Sequence, residues 1–155
     1  MCYDSSNSKI YYKWGVTVKQ HDFWGCAVEL DEVQTRVWYV QAAEWNCQCG
    51  DCRHFIALAK KQKLPPPILA SLEELGIPPE KATYVCQIMP TDGGDLFQFS
   101  YRIVGTILEE KPIKKQAWGE VRCCHEPYPY GTPGFPEPHF DLEFWVKLPK
   151  NTEKE

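Results

Sequence analysis

Phe140-Asp141-Leu142-Glu143-Phe144-Trp145-Val146-Lys147-Leu148 is the clearest strand signature in this chain of 155 residues. Phe140, Leu142, Phe144, Val146 and Leu148 fall on one side, and Asp141, Glu143 and Lys147 on the other. Successive side chains of a strand point to opposite faces, so strict alternation marks a strand with one face in a core. Asp141 and Glu143 then share the polar face. They read as a solvated surface, set against the alternative of an acid/base pair.

The same period of two recurs upstream. Phe97, Phe99, Tyr101 and Ile103 oppose Gln98, Ser100 and Arg102. Tyr84, Cys86 and Ile88 alternate with Thr83 and Gln87, and Asp92-Gly93-Gly94-Asp95 between the two runs reads as a hairpin turn. A shorter strand is expected around Trp118–Cys123. Near the start, Tyr12, Trp14, Val16 and Val18 oppose Lys13, Thr17 and Lys19, and Trp24, Cys26, Val28 and Leu30 oppose Glu29 and Asp31. A third run, Thr35 to Glu44, is rich in the β-formers Val37, Trp38, Tyr39 and Val40. These three runs predict an antiparallel meander.

Between the two groups of strands the period changes. Cys52, Phe55, Ile56 and Ala59 follow helical spacing and lead into Lys60-Lys61-Gln62-Lys63, where cations suit a helix C-terminus. Leu64-Pro65-Pro66-Pro67 breaks that helix. A second helix starts near Pro66 or Pro67, carries Ile68, Leu69, Leu72 and Leu75 as its apolar stripe, and ends at Gly76. The prediction is an α+β domain: a largely antiparallel sheet with two helices inserted between the third and fourth strands. Residues 1–155 read as a single domain, with 1–9 and 150–155 as loose termini.

At the junction of the third run and the first helix stands Cys47-Gln48-Cys49-Gly50-Asp51-Cys52-Arg53, a C-x-C-x-x-C cluster. Three thiolates this close can converge on one soft metal ion, and zinc is the expected ion. Cys47 and Cys49 are too close in sequence to bridge each other without strain. A cysteine at a helix start also gains thiolate character from the exposed N–H groups there. The cluster supplies three ligands. The fourth is open between water and Cys26, His54, Cys86, Cys123, Cys124 or His125. Cys26 and Cys86 fall on the apolar faces of their strands, where each also reads as a small buried hydrophobe. His54 also reads as an exposed helix residue. The Cys49–Cys52 pair has, in addition, the spacing of a redox dithiol.

Composition narrows the field. Apolar residues make up 43% of the chain, with 6 Trp, 8 Tyr and 7 Phe, and the net charge is −4. A mildly acidic chain lacks the basic face that general nucleic-acid binding needs. No run of about 18 apolar residues is present to span a membrane. Met1-Cys2-Tyr3-Asp4-Ser5-Ser6 lacks the pattern of a secretory signal, which predicts a cytoplasmic protein. Eight cysteines in a reducing compartment read as metal ligands rather than as a disulfide framework. Segment 127–138 holds five prolines and two glycines. Its Tyr128, Tyr130 and Phe135 form a candidate surface for a protein partner, with covering of the core as the alternative.

The C-x-C-x-x-C-R core resembles a motif of the glutathione-dependent formaldehyde-activating family, in which such a trio binds zinc. Gly25-Cys26-Ala27-Val28 echoes the same family upstream. The chain departs from that pattern in having the single Cys26 in place of an upstream pair, and in having no downstream C-x-x-C. A longer string is similar to a family of small uncharacterised bacterial proteins. It runs from the cluster with Arg53 and Phe55 through Leu75-Gly76-Ile77 and Tyr101 with Gly105 to Phe140–Leu148. The first resemblance implies an enzyme acting on a thiol adduct through zinc or a cysteine. The second implies an intracellular domain without assigning an activity. On the residues themselves, the leading expectation is a structural zinc site that supports a binding role.

Overall fold

The computed structural model describes residues 2–3, 9–13, 16–45, 47–126 and 132–150, with side chains from residue 18 onward. Strands β1 (Cys2–Tyr3), β2 (Lys9–Lys13), β3 (Val16–Phe23) and β4 (Cys26–Leu30) come first. Helices α1 (Glu32–Gln41), α2 (Gly50–Lys60) and α3 (Pro66–Leu75) follow. The chain then returns to strands β5 (Tyr84–Thr91), β6 (Gly94–Ile107), β7 (Lys114–Gln116), β8 (Gly119–Cys124) and β9 (His139–Leu148). Every strand pairing is antiparallel. The sheet runs β1-β2-β3-β4-β6-β9-β8-β7, with β5 also on β6.

The α+β class and the antiparallel sheet hold, but the placement of the helices does not. Among the described residues there are three α-helices, all between β4 and β5, because the third expected strand is helix α1. Two signals outweigh the β-formers in that run. Asp31 caps the helix by accepting from the Gln34 N–H at 2.9 Å, and the Gln34 side chain returns a bond to Asp31 at 2.9 Å. Thr35, Trp38 and Tyr39 are buried at helical spacing, while Val33, Val37 and Val40 point outward. Further differences lie in the strands. Trp24 sits in the two-residue β3–β4 turn, where Trp24 and Gly25 both have positive φ. On β5 the buried side chain is Val85, while Cys86 is half-buried and Ile88 exposed, so the expected apolar face is out of phase by one residue. Strand residues Cys2–Tyr3 and Lys9 occupy part of the segment expected to be loose. Residues 4–8 and 151–155 of the expected loose ends lie outside the described residues.

The two strongest strand signatures form the centre. β6 and β9 pair from Asp95↔Leu148 to Val104↔His139. This puts Phe97, Phe99, Tyr101 and Ile103 beside Phe140, Leu142, Phe144 and Val146 on one fully buried face. Helix α2 lays Phe55 against Phe99 at 4.9 Å and Phe97 at 6.0 Å between ring centroids. Helix α3 adds Ile68, Leu72 and Leu75 and ends at Gly76, whose φ of 72° gives the left-handed stop.

One edge of β6 is shared. β5 pairs with residues 94–100 and β4 with residues 105–107, which leaves a gap between them. Buried backbone groups must find partners, and side chains fill the gap. Thr83 Oγ1 accepts from Arg102 N at 3.1 Å, and Tyr39 donates its hydroxyl to Arg102 O at 2.7 Å. Thr35 Oγ1 accepts from Val104 N at 3.1 Å, and Asp31 N donates to Val104 O at 2.9 Å. Helix α1 therefore completes the sheet edge, and its end delivers the chain to the cysteine cluster.

Candidate metal centre

Residues 42–49 link α1 to α2 without regular structure, apart from position 46, which lies outside the described residues. Trp45 N donates to Glu80 O at 3.4 Å, Glu44 pairs with Lys60 at 3.0 Å, and the Trp45 ring packs on Tyr84 at 6.0 Å. Cys49 then caps α2, its sulfur accepting from the Cys52 N–H at 3.4 Å. Cysteine replaces the usual Ser, Thr, Asp or Asn at a helix start.

The fold brings Cys47, Cys49 and Cys52 together. Their three sulfurs lie within 4.8 Å of one another, with Cys47 and Cys49 at 3.4 Å. Sulfurs bound tetrahedrally to one zinc sit about 3.8 Å apart, given Zn–S bonds of about 2.3 Å. The donor set suits a soft or borderline ion. Exposure is graded: Cys49 is exposed, Cys47 half-buried and Cys52 buried.

The thiols are not equivalent. The Cys52 N–H at the helix start favours the Cys49 thiolate, and a hydrogen bond from Cys47 adds to it, so the Cys49 pKa falls below its ordinary value. Burial pushes Cys52 up to about 12, against the pull of the Trp45 indole N–H, which donates to its sulfur at 3.3 Å. Arg53 is exposed.

The candidate fourth ligands lie elsewhere. Among the described residues, no further Cys, His, Asp or Glu brings a ligand atom within 4.8 Å of all three sulfurs. Buried Cys26 accepts a hydrogen bond from Cys123, which lowers the Cys26 pKa and raises that of Cys123. His54 meets Pro149 O at 2.7 Å, and the Cys86 thiol donates to Gln87 O at 3.6 Å. Cys124 sits 3.4 Å from Glu126 Oε1, and His125 lies 3.7 Å from Glu110.

A cavity of about 870 Å³ opens beside the cluster. Cys47 and Trp45 line it together with Trp38, Tyr84, Ala82 and Pro133. It was not legible in the sequence, because its walls come from α1, the linker, β5 and the loop before β9. The proline-rich loop is placed only in part. Tyr128 and Tyr130 lie outside the described residues, while Phe135 packs on Trp38 at 4.7 Å and on Tyr39 at 6.3 Å. Phe135 therefore covers the core rather than presenting a free aromatic surface. Among the described residues, no helix is long and apolar enough to cross a membrane. No family model, curated protein or solved structure matches the chain.

Proposed function

We propose that Cys47, Cys49 and Cys52 bind one zinc ion, and that this site fixes the 42–49 linker as a wall of the adjacent cavity in a small intracellular binding module. The observation that carries the reading is the convergence of the three sulfurs within 4.8 Å. A metal bond from each cysteine would join the linker to the start of α2. Zinc when bound supplies a positive centre that keeps the three thiols deprotonated. Cys49 is already biased towards thiolate, whereas buried Cys52 would release its proton to solvent as its sulfur bound the ion.

Elemental mass spectrometry of purified protein, with thiol counting before and after chelation, tests the reading. We expect about one zinc per chain at this site, and a drop in melting temperature on chelation. A Cys49→Ser variant that folds and keeps the ion with unchanged affinity would sink the assignment.

A second reading has its own support. Cys49 is exposed and no fourth ligand from the described residues closes the site, and open sites are those that carry chemistry. Under this reading the module is an enzyme, and the fourth position takes water or a substrate seated in the cavity. Metal loss without unfolding, together with loss of ligand binding, favours it over the structural role. Pairwise oxidation of Cys49 and Cys52 in metal-free protein as purified would instead point to a redox dithiol.

A further inference from the structure

The outer face of the sheet, turned away from the helices, holds two buried carboxylates that were expected to be solvated. Asp141 is 2% exposed and Glu143 is 0% exposed. Asp141 is fully engaged. It accepts from Arg102 Nε at 2.9 Å and Nη2 at 3.2 Å, and from Glu126 N at 2.9 Å. Arg102 in turn reaches Thr132 Oγ1 at 3.3 Å and Glu126 O at 3.0 Å.

The Glu143 carboxyl is engaged unevenly, with Gln98 and Glu126 also lying against it. Its Oε1 accepts from Arg122 at 2.9 Å, and its Oε2 has no hydrogen-bond partner among the described residues. One other buried side-chain atom there shares that condition, the hydroxyl of Ser100. Ser100 and Glu143 are directly opposed in the β6–β9 register, so both orphaned atoms lie on one face at one place. Buried polar groups are nearly always paired, and two failures on one cross-strand pair point to a missing ligand.

The ligand's chemistry follows from what surrounds the place. Cys124 Sγ and the carboxylates of Glu126 and Glu143 lie within 4.8 Å of one another. Cys124 Sγ stands 3.4 Å from Glu126 Oε1. Two carboxylates meet here with one guanidinium between them, since Arg122 also pairs with Glu126 at 3.4 Å. That leaves an excess of negative charge at a half-buried place, which favours a cation. A void of about 10 Å³ on the Arg102–Thr132 side touches Ser100, Glu126 and Asp141 but not Cys124 or Glu143. Hard cations such as magnesium and calcium prefer oxygen alone, whereas a sulfur with two carboxylates suits a borderline ion.

We propose that Cys124, Glu126 and Glu143 form a second metal site, for a divalent ion of the zinc class, on the opposite face of the sheet from the helices. Binding releases the Cys124 thiol proton to solvent and gives Glu143 Oε2 its partner. The site shares no ligand with the three-cysteine cluster, so the two stand or fall separately.

Zinc titration by calorimetry on the folded full-length Cys47→Ser/Cys49→Ser/Cys52→Ser variant isolates the second site. It should bind one equivalent, and cobalt in its place should show a sulfur-to-metal absorption band. Adding Cys124→Ser should abolish the band, and adding Glu143→Gln should weaken binding at least about tenfold, since even outer-shell losses cost that much. Absence of metal uptake would overturn the proposal and leave a shared proton between the two glutamates as the explanation. Unchanged uptake after Glu143→Gln would overturn it equally. Cadmium NMR on the unmodified chain covers the case in which the triple variant fails to fold. It should show a mixed sulfur–oxygen resonance that Cys124→Ser removes, and absence of that resonance would refute the site.

Discussion

Cys49 and Cys52 show how three residues of chain can give two cysteines opposite properties. One caps a helix in solvent and accepts an N–H, and the other is the first buried side chain of the same helix. In metal-free protein at neutral pH, iodoacetamide should therefore label Cys49 well ahead of Cys52, and added zinc should protect both. Mass-spectrometric mapping of the alkylated sites over time checks this. Arg102 is the other decisive single residue. Its guanidinium is buried and bidentate to Asp141. Removing one partner of such a pair strands the other charge, so Arg102→Ala should cost about 3–5 kcal/mol in urea unfolding. Asp141→Asn should cost a similar amount, because it leaves the buried Arg102 charge without its counter-ion and sets an amide donor against N–H groups.

Helix α1 is the element on which sequence and structure part. Thr35-to-Glu44 has the composition of a strand, and composition of this kind reports how well side chains fit a half-buried surface rather than a backbone preference. The cap at Asp31 and the inward spacing of Thr35, Trp38 and Tyr39 decide it. Both signals are present in the sequence, but the outward Val33, Val37 and Val40 mask the spacing. The role of α1 in filling the β6 edge predicts two effects. Asp31→Ala should cost about 1 kcal/mol through the lost cap. Tyr39→Phe should cost a further 1–3 kcal/mol or so, because it leaves the buried Arg102 carbonyl without its partner. Chemical denaturation of the two variants measures both. The placement of α2 and α3, by contrast, was legible from Cys52, Phe55 and Ala59, from the Pro66 start and from the Gly76 stop, since those signals are local.

Across the whole molecule, two titrating groups, half-buried His21 and buried Glu143, should shape stability against pH. His21 on β3 is held below its ordinary pKa of 6.5 chiefly by burial, with Glu74 of α3 pulling the other way. Its folded pKa is depressed, so the unfolded chain binds the proton better. The stability it permits is present above pH 6.5 and is lost as pH falls through the folded value. Glu143 has the opposite sign. Burial and the facing Glu126 raise it from 4.5 to about 7, so in metal-free protein stability is greatest below pH 4.5 and falls as pH rises through 7. His21→Gln should flatten the acid limb, and Glu143→Gln should flatten the limb between pH 4.5 and 7, by about 3 kcal/mol at most. Unfolding free energies at a series of pH values would show both slopes.

The β6–β9 centre of the sheet, helices α2 and α3, and the closeness of Cys47, Cys49 and Cys52 can all be read from the chain alone. In each, the information is carried by period, caps or close spacing along the chain. Packing between distant residues decides that α1 lies along the open edge of β6, that Asp141 and Glu143 are sealed from water, and that Trp38, Trp45 and Tyr84 wall a cavity beside Cys47. Those outcomes depend on residues far apart in the chain. Whether a polar strand face is solvated, or an edge needs a helix, is set by what packs against it.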